Sequence, residues 1–360
     1  IAFAHEYAYI RCSLGGPMSH TVAIFGSSGY AGGELIRLVD GHPDLEIAYL
    51  GGHSTAGEKL ASVHPHLREG ERLLQSNDPA ASPDVDLVFL ALPHGASAEP
   101  AMALLDRGIP VIDIGSDFRL DTPERYLAAY DAKHPYPDEL GRWAYGLPEL
   151  YRREIAGSDR TAVPGCYPTS AILPLAPVLA AELVEPVGII VDAMSGVSGA
   201  GRGGHPDLHF GVVDESVKAY KVLTHRHRPE IERGLDTVGN APVEVVFTPH
   251  LVPMQRGILT TVYAKGVEGV GASDLRDALE KAYGEEPFVS LVQGSPETRW
   301  VVGSNRALIS VHFDERTGTV VLLSAIDNLV KGAAGQAVQV ANVMLDLDET
   351  AGLPVDGWMP

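Results

Sequence analysis

A short apolar run, Thr21–Phe25 (TVAIF), leads directly into glycines at 26, 29 and 32 and then into a stretch of helical periodicity, ELIRLVD. This order of strand, glycine turn and helix constrains the fold more than any other feature of the chain. A tight turn that lets the backbone approach a pyrophosphate excludes β-carbons. The helix that follows offers unpaired N–H groups to the phosphates. Further strand-like runs come at LEIAYL (45–50), DLVFLALP (86–93) and IPVIDIG (109–115), with helix-like AEPAMALLDRG between the last two. Strands alternating with helices specify a parallel sheet with crossovers. Residues 21–164 therefore read as a doubly wound α/β dinucleotide-binding domain.

The pattern changes near residue 165. VGIIVDAMSG, VEVVFTPH, ILTTVYAKG, ALISVHFD and TVVLLSAID read as strands with few helices between them, ASDLRDALEKAYG being one clear amphipathic helix. Residues 165–328 accordingly read as an α+β domain with an antiparallel or mixed sheet. The small-residue helix in 329–360 is expected to return to the first domain and complete it.

Composition narrows the function classes. The chain of 360 residues is 45% hydrophobic, enough for two packed cores. No apolar run approaches the roughly 20 residues that span a bilayer, so no membrane association is expected. A formal net charge of −20 without a basic stripe argues against nucleic acid. The only cysteines are Cys12 and Cys166, which offers no disulfide framework and suits a reducing cytoplasm. Residues 1–20 lack a basic start followed by an apolar core, so a signal peptide is not expected. They read as a leader, disordered or appended upstream of a start at Met18.

Cofactor choice follows from the second strand. An NAD site usually has an acid there for the ribose 2′-hydroxyl. Here the strand ends LGGHSTAGE, with no acid before Glu58. Ser54, with His53 and Thr55 beside it, suits a 2′-phosphate, which points to NADP(H); a plain polar loop is the alternative. Ser28, Tyr30 and Ala31 complete the glycine loop's contacts with Gly26, Gly29 and Gly32. Pro93, His94 and Gly95 follow the third strand, where they either line the same crevice or merely start a helix.

The densest motif is VPGCYPTS at 163–170. It places Cys166 just ahead of a helix read from Thr169 onward, which Pro174 and Pro177 should bend or interrupt. A helix N-terminus favours the thiolate, the reactive form. A buried structural cysteine is the alternative. A thiol that takes an acyl group needs a proton shuttle, and THRHRPEIE at 224–232 supplies His225 and His227. Pro229 is expected to open a helix with Glu230 in its first turn, where a carboxylate can orient an imidazole. Metal ligation is not expected, because no Cys or acidic partners stand at zinc spacing near these histidines or near His205 and His209. Arg119, in GSDFRL, and the SGVSGAGR loop at 195–202 with Ser195, Ser198 and Arg202 offer donors to a phosphate leaving group.

Taken together, GSSGYAGGELIRL, IDIGSDFRL, YGLPEL, VPGCYPT, SGVSGAGR, YKVLTHRHRPEI and DNLVKGAAGQAVQ resemble the N-acetyl-gamma-glutamyl-phosphate reductases of arginine biosynthesis, in unbroken order from residue 21 onward. The resemblance implies Cys166 as nucleophile and one histidine, His227 ahead of His225, as acid/base. It also implies Asn328 near the nicotinamide, an oligomerising second domain in a homodimer or tetramer, and an acyl phosphate, a semialdehyde and inorganic phosphate as the small-molecule partners. Two departures stand out: Gly115–Ser116 where that family commonly has Ser-Ala, and Val163 where it often has Asn. Another acyl-phosphate reductase, a cysteine hydrolase and a catalytically silent NADP-binding regulator are the rival readings.

Overall fold

The computed structural model describes residues 19–204 and 206–359, so the residues ahead of Ser19, including Cys12 and Met18, and also His205 lie outside the described residues. Among the described residues, thirteen strands form two sheets. The first contains β1 (His20–Phe25), β2 (Leu45–Gly51), β3 (Leu87–Leu90), β4 (Val111–Asp113), β5 (Ala144–Tyr145) and β6 (Arg160–Ala162) in the order β2-β1-β3-β4-β6-β5. Every pairing in it is parallel. The second contains β7 (Ile189–Ser195), β8 (Lys218–Ala219), β9 (Val245–Leu251), β10 (Ile258–Lys265), β11 (Val289–Leu291), β12 (Ala307–Asp314) and β13 (Thr319–Ile326) in the order β11-β12-β13-β10-β7-β9-β8. It is mixed: β7–β9 and β11–β12 run parallel and the other pairs antiparallel.

The described residues also form ten α-helices: α1 (Tyr30–Val39), α2 (Leu60–Val63), α3 (Ala98–Leu105), α4 (Pro123–Tyr130), α5 (Pro148–Ala156), α6 (Cys166–Ala180), α7 (Phe210–Val213), α8 (His227–Asp236), α9 (Ala272–Tyr283) and α10 (Gly335–Met344). The first sheet is apolar on both faces, as a parallel sheet under crossover helices must be. One face packs Leu35 and Leu38 of α1 with Val338 and Ala341 of α10. The other takes Ala101 and Leu104 of α3. The C-terminal helix thus returns to the first sheet, while α6, α8 and α9 build a separate core on the second.

Helix α6 departs from expectation in an instructive way. It begins at Cys166 itself and runs unbroken to Ala180 with Pro174 and Pro177 inside. Pro177 has no N–H to give the carbonyl of Leu173, four residues earlier. The buried hydroxyl of Tyr283, from α9, donates to that carbonyl at 2.7 Å instead. A tertiary bond replaces the missing helical one. Helix α8 likewise starts earlier than Pro229, at His227.

Between β13 and α10 lies one turn of π-helix, Val330–Ala334, with Gly332 N–H donating to Asp327 O at 2.9 Å and Ala334 N–H to Leu329 O at 2.9 Å. Buried Lys331 anchors this turn, donating to Glu149 Oε1 at 2.6 Å and Gln339 Oε1 at 2.8 Å. No helix among the described residues is long and apolar enough to cross a membrane.

Candidate active site

Cys166 is the first residue of α6 and is half-buried. Its loop is held from below by Glu230 of α8. That fully buried carboxylate accepts the Gly165 N–H at 2.8 Å and the Tyr145 O–H at 3.1 Å through Oε1, and Arg119 Nη1 at 3.4 Å through Oε2. Arg119 also donates through Nη2 to Ile114 O at 2.8 Å. Burial opposes its charge, yet Glu230 and the neighbouring tyrosines and Asp113 raise its pKa above the ordinary value. The carboxylate therefore bonds neither histidine recorded beside it, contrary to the expectation that it orients an imidazole. It fixes the thiol loop and the arginine relative to each other.

The two histidines do meet at the thiol loop. A β-carbon on Gly165 would lie 2.7 Å from His227 Nε2 and 2.8 Å from Arg119 Nη1, so the imidazole and the guanidinium converge on the residue next to the thiol. His225 Nδ1 accepts the His227 backbone N–H at 3.1 Å. That bond leaves the His225 proton on Nε2 in its neutral form. His227 Nδ1 is buried without a partner. Burial, with Arg226 and Lys221 nearby, depresses His225 to about 4, and burial with His225 and Arg119 lowers His227 as well. Both imidazoles are neutral at physiological pH.

The thiol itself behaves differently from the sequence expectation. Burial pushes Cys166 up to about 11; the Arg119 charge and the Tyr167 N–H pull it back only in part. The helix terminus alone does not ionise it, so a base must take its proton. Opposite the thiol, the π-turn presses against it: a β-carbon on Gly332 would come within 2.8 Å of Cys166 Cβ.

On the far side of the π-turn, Asn328 donates through Nδ2 to Ser198 Oγ at 2.9 Å and accepts Gly257 N–H through Oδ1 at 2.7 Å. Ser195 is buried near by, its Oγ donating to Gly196 O at 3.1 Å. Ser195 and Ser198, read from sequence as phosphate donors, thus lie beside Asn328, read as a nicotinamide contact. Arg202 is not with them. It reaches the other side, against Tyr30 and His64.

The glycine loop joins β1 to α1. Gly26 has φ +77°, and a β-carbon there would strike Ala91 O at 2.3 Å. Gly29 caps α1, and a β-carbon would meet only Gly26 O at 3.5 Å. No protein atom forbids a side chain at 29, and the ground above it is open for a ligand, next to Ser28, Tyr30 and Ala31. The loop is braced by the Gly26 N–H to Asn77 Oδ1 at 3.1 Å and by Ser27 Oγ to Gly51 O at 2.7 Å. Ser54 lies exposed just past β2. These residues fit a dinucleotide with an additional phosphate on its ribose.

The Pro93–Gly95 loop is tied down rather than open. Asp117 accepts the N–H groups of Gly95 at 2.7 Å, Ser97 at 2.9 Å and Ala98 at 3.1 Å, and sits 3.1 Å from His94 Nδ1. The N-terminus of α3 is thus neutralised by a side chain of the chain itself. His94 stacks on Tyr130 at 4.0 Å. Asp117, Asn77, Tyr145 and Gly332 escaped the sequence reading. Asp117 stands in the same GSDFR string as Arg119, and an acid there was the available signal. Among the described residues no group of three or more His, Cys, Asp or Glu is arranged to hold a metal ion.

A parallel nucleotide-type sheet, a thiol at a helix start and a mixed second sheet define a class. Residues 21–158 match the semialdehyde dehydrogenase NAD binding domain, and residues 166–328 match the semialdehyde dehydrogenase dimerisation domain. Among solved structures, aspartate semialdehyde dehydrogenase II from Vibrio cholerae, complexed with ASA, aligns at a TM-score of 0.70 with 20% identity, over 91% of this chain and 99% of that one. Aspartate semialdehyde dehydrogenase with NADP from Candida albicans aligns at 0.63 with 15% identity, over 91% and 98%. At such identities the likeness speaks for the fold. Closer in sequence are the N-acetyl-gamma-glutamyl-phosphate reductases of Arthrobacter sp. (strain FB24), 48% identical over 95% of this chain and all of that one, and of Pelotomaculum thermopropionicum, 46% identical over the same shares. The chain belongs to the N-acetyl-gamma-glutamyl-phosphate reductase family.

Proposed function

We propose that this protein reduces N-acetyl-gamma-glutamyl phosphate to N-acetylglutamate 5-semialdehyde with release of inorganic phosphate, in arginine biosynthesis, using NADPH. The observation that carries the reading is the convergence of His227 and Arg119 on the loop that bears Cys166. The supporting context is family membership together with a glycine loop open at Gly29.

His227 takes the thiol proton through Nε2, the nitrogen that faces the thiol loop, which its neutral state permits. The Cys166 sulfur attacks the acyl carbon, and the C–O bond to phosphate breaks to leave a thioester. Arg119, held by Glu230 and Ile114 O, meets the charge that gathers on the leaving phosphate. NADPH, when bound, supplies the hydride that reduces the thioester carbon. The C–S bond then breaks, the carbonyl re-forms as the aldehyde, and the sulfur recovers its proton from the histidine pair. Glu230 acts on position only. Ser54 would hold the 2′-phosphate, and Asn328 with Ser198 would border the nicotinamide end. Residues 21–164 with 329–360 serve the cofactor, and 165–328 the thiol chemistry.

The protein is further proposed to act in the cytoplasm as a homo-oligomer. Ile190, Val246 and Tyr263 are register neighbours on the outer face of the second sheet and are 45%, 44% and 42% exposed. An apolar patch on a segment that matches a dimerisation domain supports closure by a second copy. The decisive assay is phosphate-dependent reduction of NADP by N-acetylglutamate semialdehyde, with Cys166→Ala beside the unsubstituted protein. Turnover retained by the variant would refute the thioester route, and faster turnover of aspartate semialdehyde by the parent would refute the substrate.

A further inference from the structure

Arg202 belongs by sequence to the loop that was expected to meet the leaving phosphate. Its neighbours belong instead to the nucleotide side. Nη2 donates to Val63 O at 2.8 Å and lies 3.5 Å from His64 Nδ1, and the guanidinium sits 5.5 Å from the centre of the Tyr30 ring. Val63 closes α2, His64 follows it, and Tyr30 opens α1.

His64 carries the contact one step further. It is buried, with Nε2 3.0 Å from Ser27 O in the glycine loop. A guanidinium only donates. The nitrogen that faces it must therefore present a lone pair, which leaves the proton on Nε2 to donate to Ser27 O. Burial, with the Arg202 charge adding to it, holds the imidazole below its ordinary pKa and keeps this neutral tautomer. Arg202, His64 and the Ser27 carbonyl thus form one continuous relay between the two halves of the molecule.

The relay borders a cavity of about 610 Å³ that runs from Tyr30 and His64 to Ser198 and Leu329. Two arginines line it. Arg256 is matched by Glu34 at 2.9 Å and Asp327 at 3.4 Å. Among the described residues no carboxylate pairs with Arg202, so its charge is the uncompensated one in the cavity. Such a site favours an anionic ligand beside the glycine loop.

We propose that Arg202 serves the dinucleotide and not the leaving phosphate: it is a positioning residue that sets the glycine loop through His64 and lends its charge to the cofactor side of the cavity. The inference rests on the reading that NADPH binds at the glycine loop.

The test uses the full chain with R202Q, H64Q and the double variant. NADPH dissociation constants come from fluorescence titration, and the KM for inorganic phosphate from the reverse reaction. R202Q is expected to weaken NADPH by about tenfold, the loss of one charge-assisted contact, with the phosphate KM changed by less than about twofold. H64Q should weaken NADPH in the same direction, and the double variant by less than the product of the single effects, because both act through one relay. A rise in phosphate KM with unaltered NADPH affinity in R202Q overturns the proposal, as do multiplicative single effects. Absence of NADPH binding by the unsubstituted protein would overturn the cofactor reading beneath it, whereas normal binding by both parent and R202Q overturns this inference alone.

Discussion

Cys166 sits where a helix dipole should favour its anion, yet burial sets its pKa at about 11. A raised pKa means the protonated thiol prevails at neutral pH, and the anion appears only as pH climbs toward that value. Alkylation of the free enzyme by iodoacetamide should therefore keep accelerating well above pH 9. A plateau reached by pH 8 would show that the terminus wins over burial. The histidines carry the opposite shift. With His225 depressed to about 4 and His227 lowered, both remain neutral as pH falls through the usual histidine range, so the acid limb of kcat/KM should lie below pH 6. His227→Asn should lower kcat by roughly a hundredfold or more with little change in NADPH affinity, measured by steady-state kinetics and titration. A larger loss from His225→Asn would transfer the base to that residue.

Helix α6 shows how far elements could be read from the chain. That a helix follows the Pro-Gly turn was legible, although its pattern starts at Thr169 and the helix itself at Cys166. Its continuity through Pro174 and Pro177 was not, since the hydroxyl that answers Leu173 O comes from Tyr283, more than a hundred residues later in the chain. Tyr283→Phe leaves that carbonyl unpaired and should cost about 1–2 kcal/mol in denaturant unfolding, with KM values unchanged. The π-turn was invisible for the same reason. Its anchor, Lys331, is a charged residue in a stretch that reads as small-residue helix, and only Glu149 and Gln339 make its burial tolerable. Lys331→Met strands the Glu149 carboxylate and should destabilise by about 3–5 kcal/mol, whereas joint replacement of Lys331 and Glu149 by apolar residues should recover much of that loss. Local pattern foretold the glycine loop and the alternation of strands and helices. It misdirected Glu230 and left out Asp117, because which neighbour a buried carboxylate serves depends on contacts remote in sequence.

The candidate site draws on the domains of both sheets, and the outer face of the second sheet remains apolar at Ile190, Val246 and Tyr263. Ile190→Glu places a charge in the middle of that patch, between Tyr263 and Val246, and should reduce the sedimentation mass of the protein toward that of one chain; an unaltered mass would move the assembly surface elsewhere. The contact between Gly332 and Cys166 has a bearing on how the protein is made. The π-turn that presses against the thiol is translated well after it, Gly332 standing 166 positions beyond Cys166. A growing chain therefore carries the thiol without that wall until the π-turn has been made, and a transcript cut short before the π-turn yields a sulfur that lacks it.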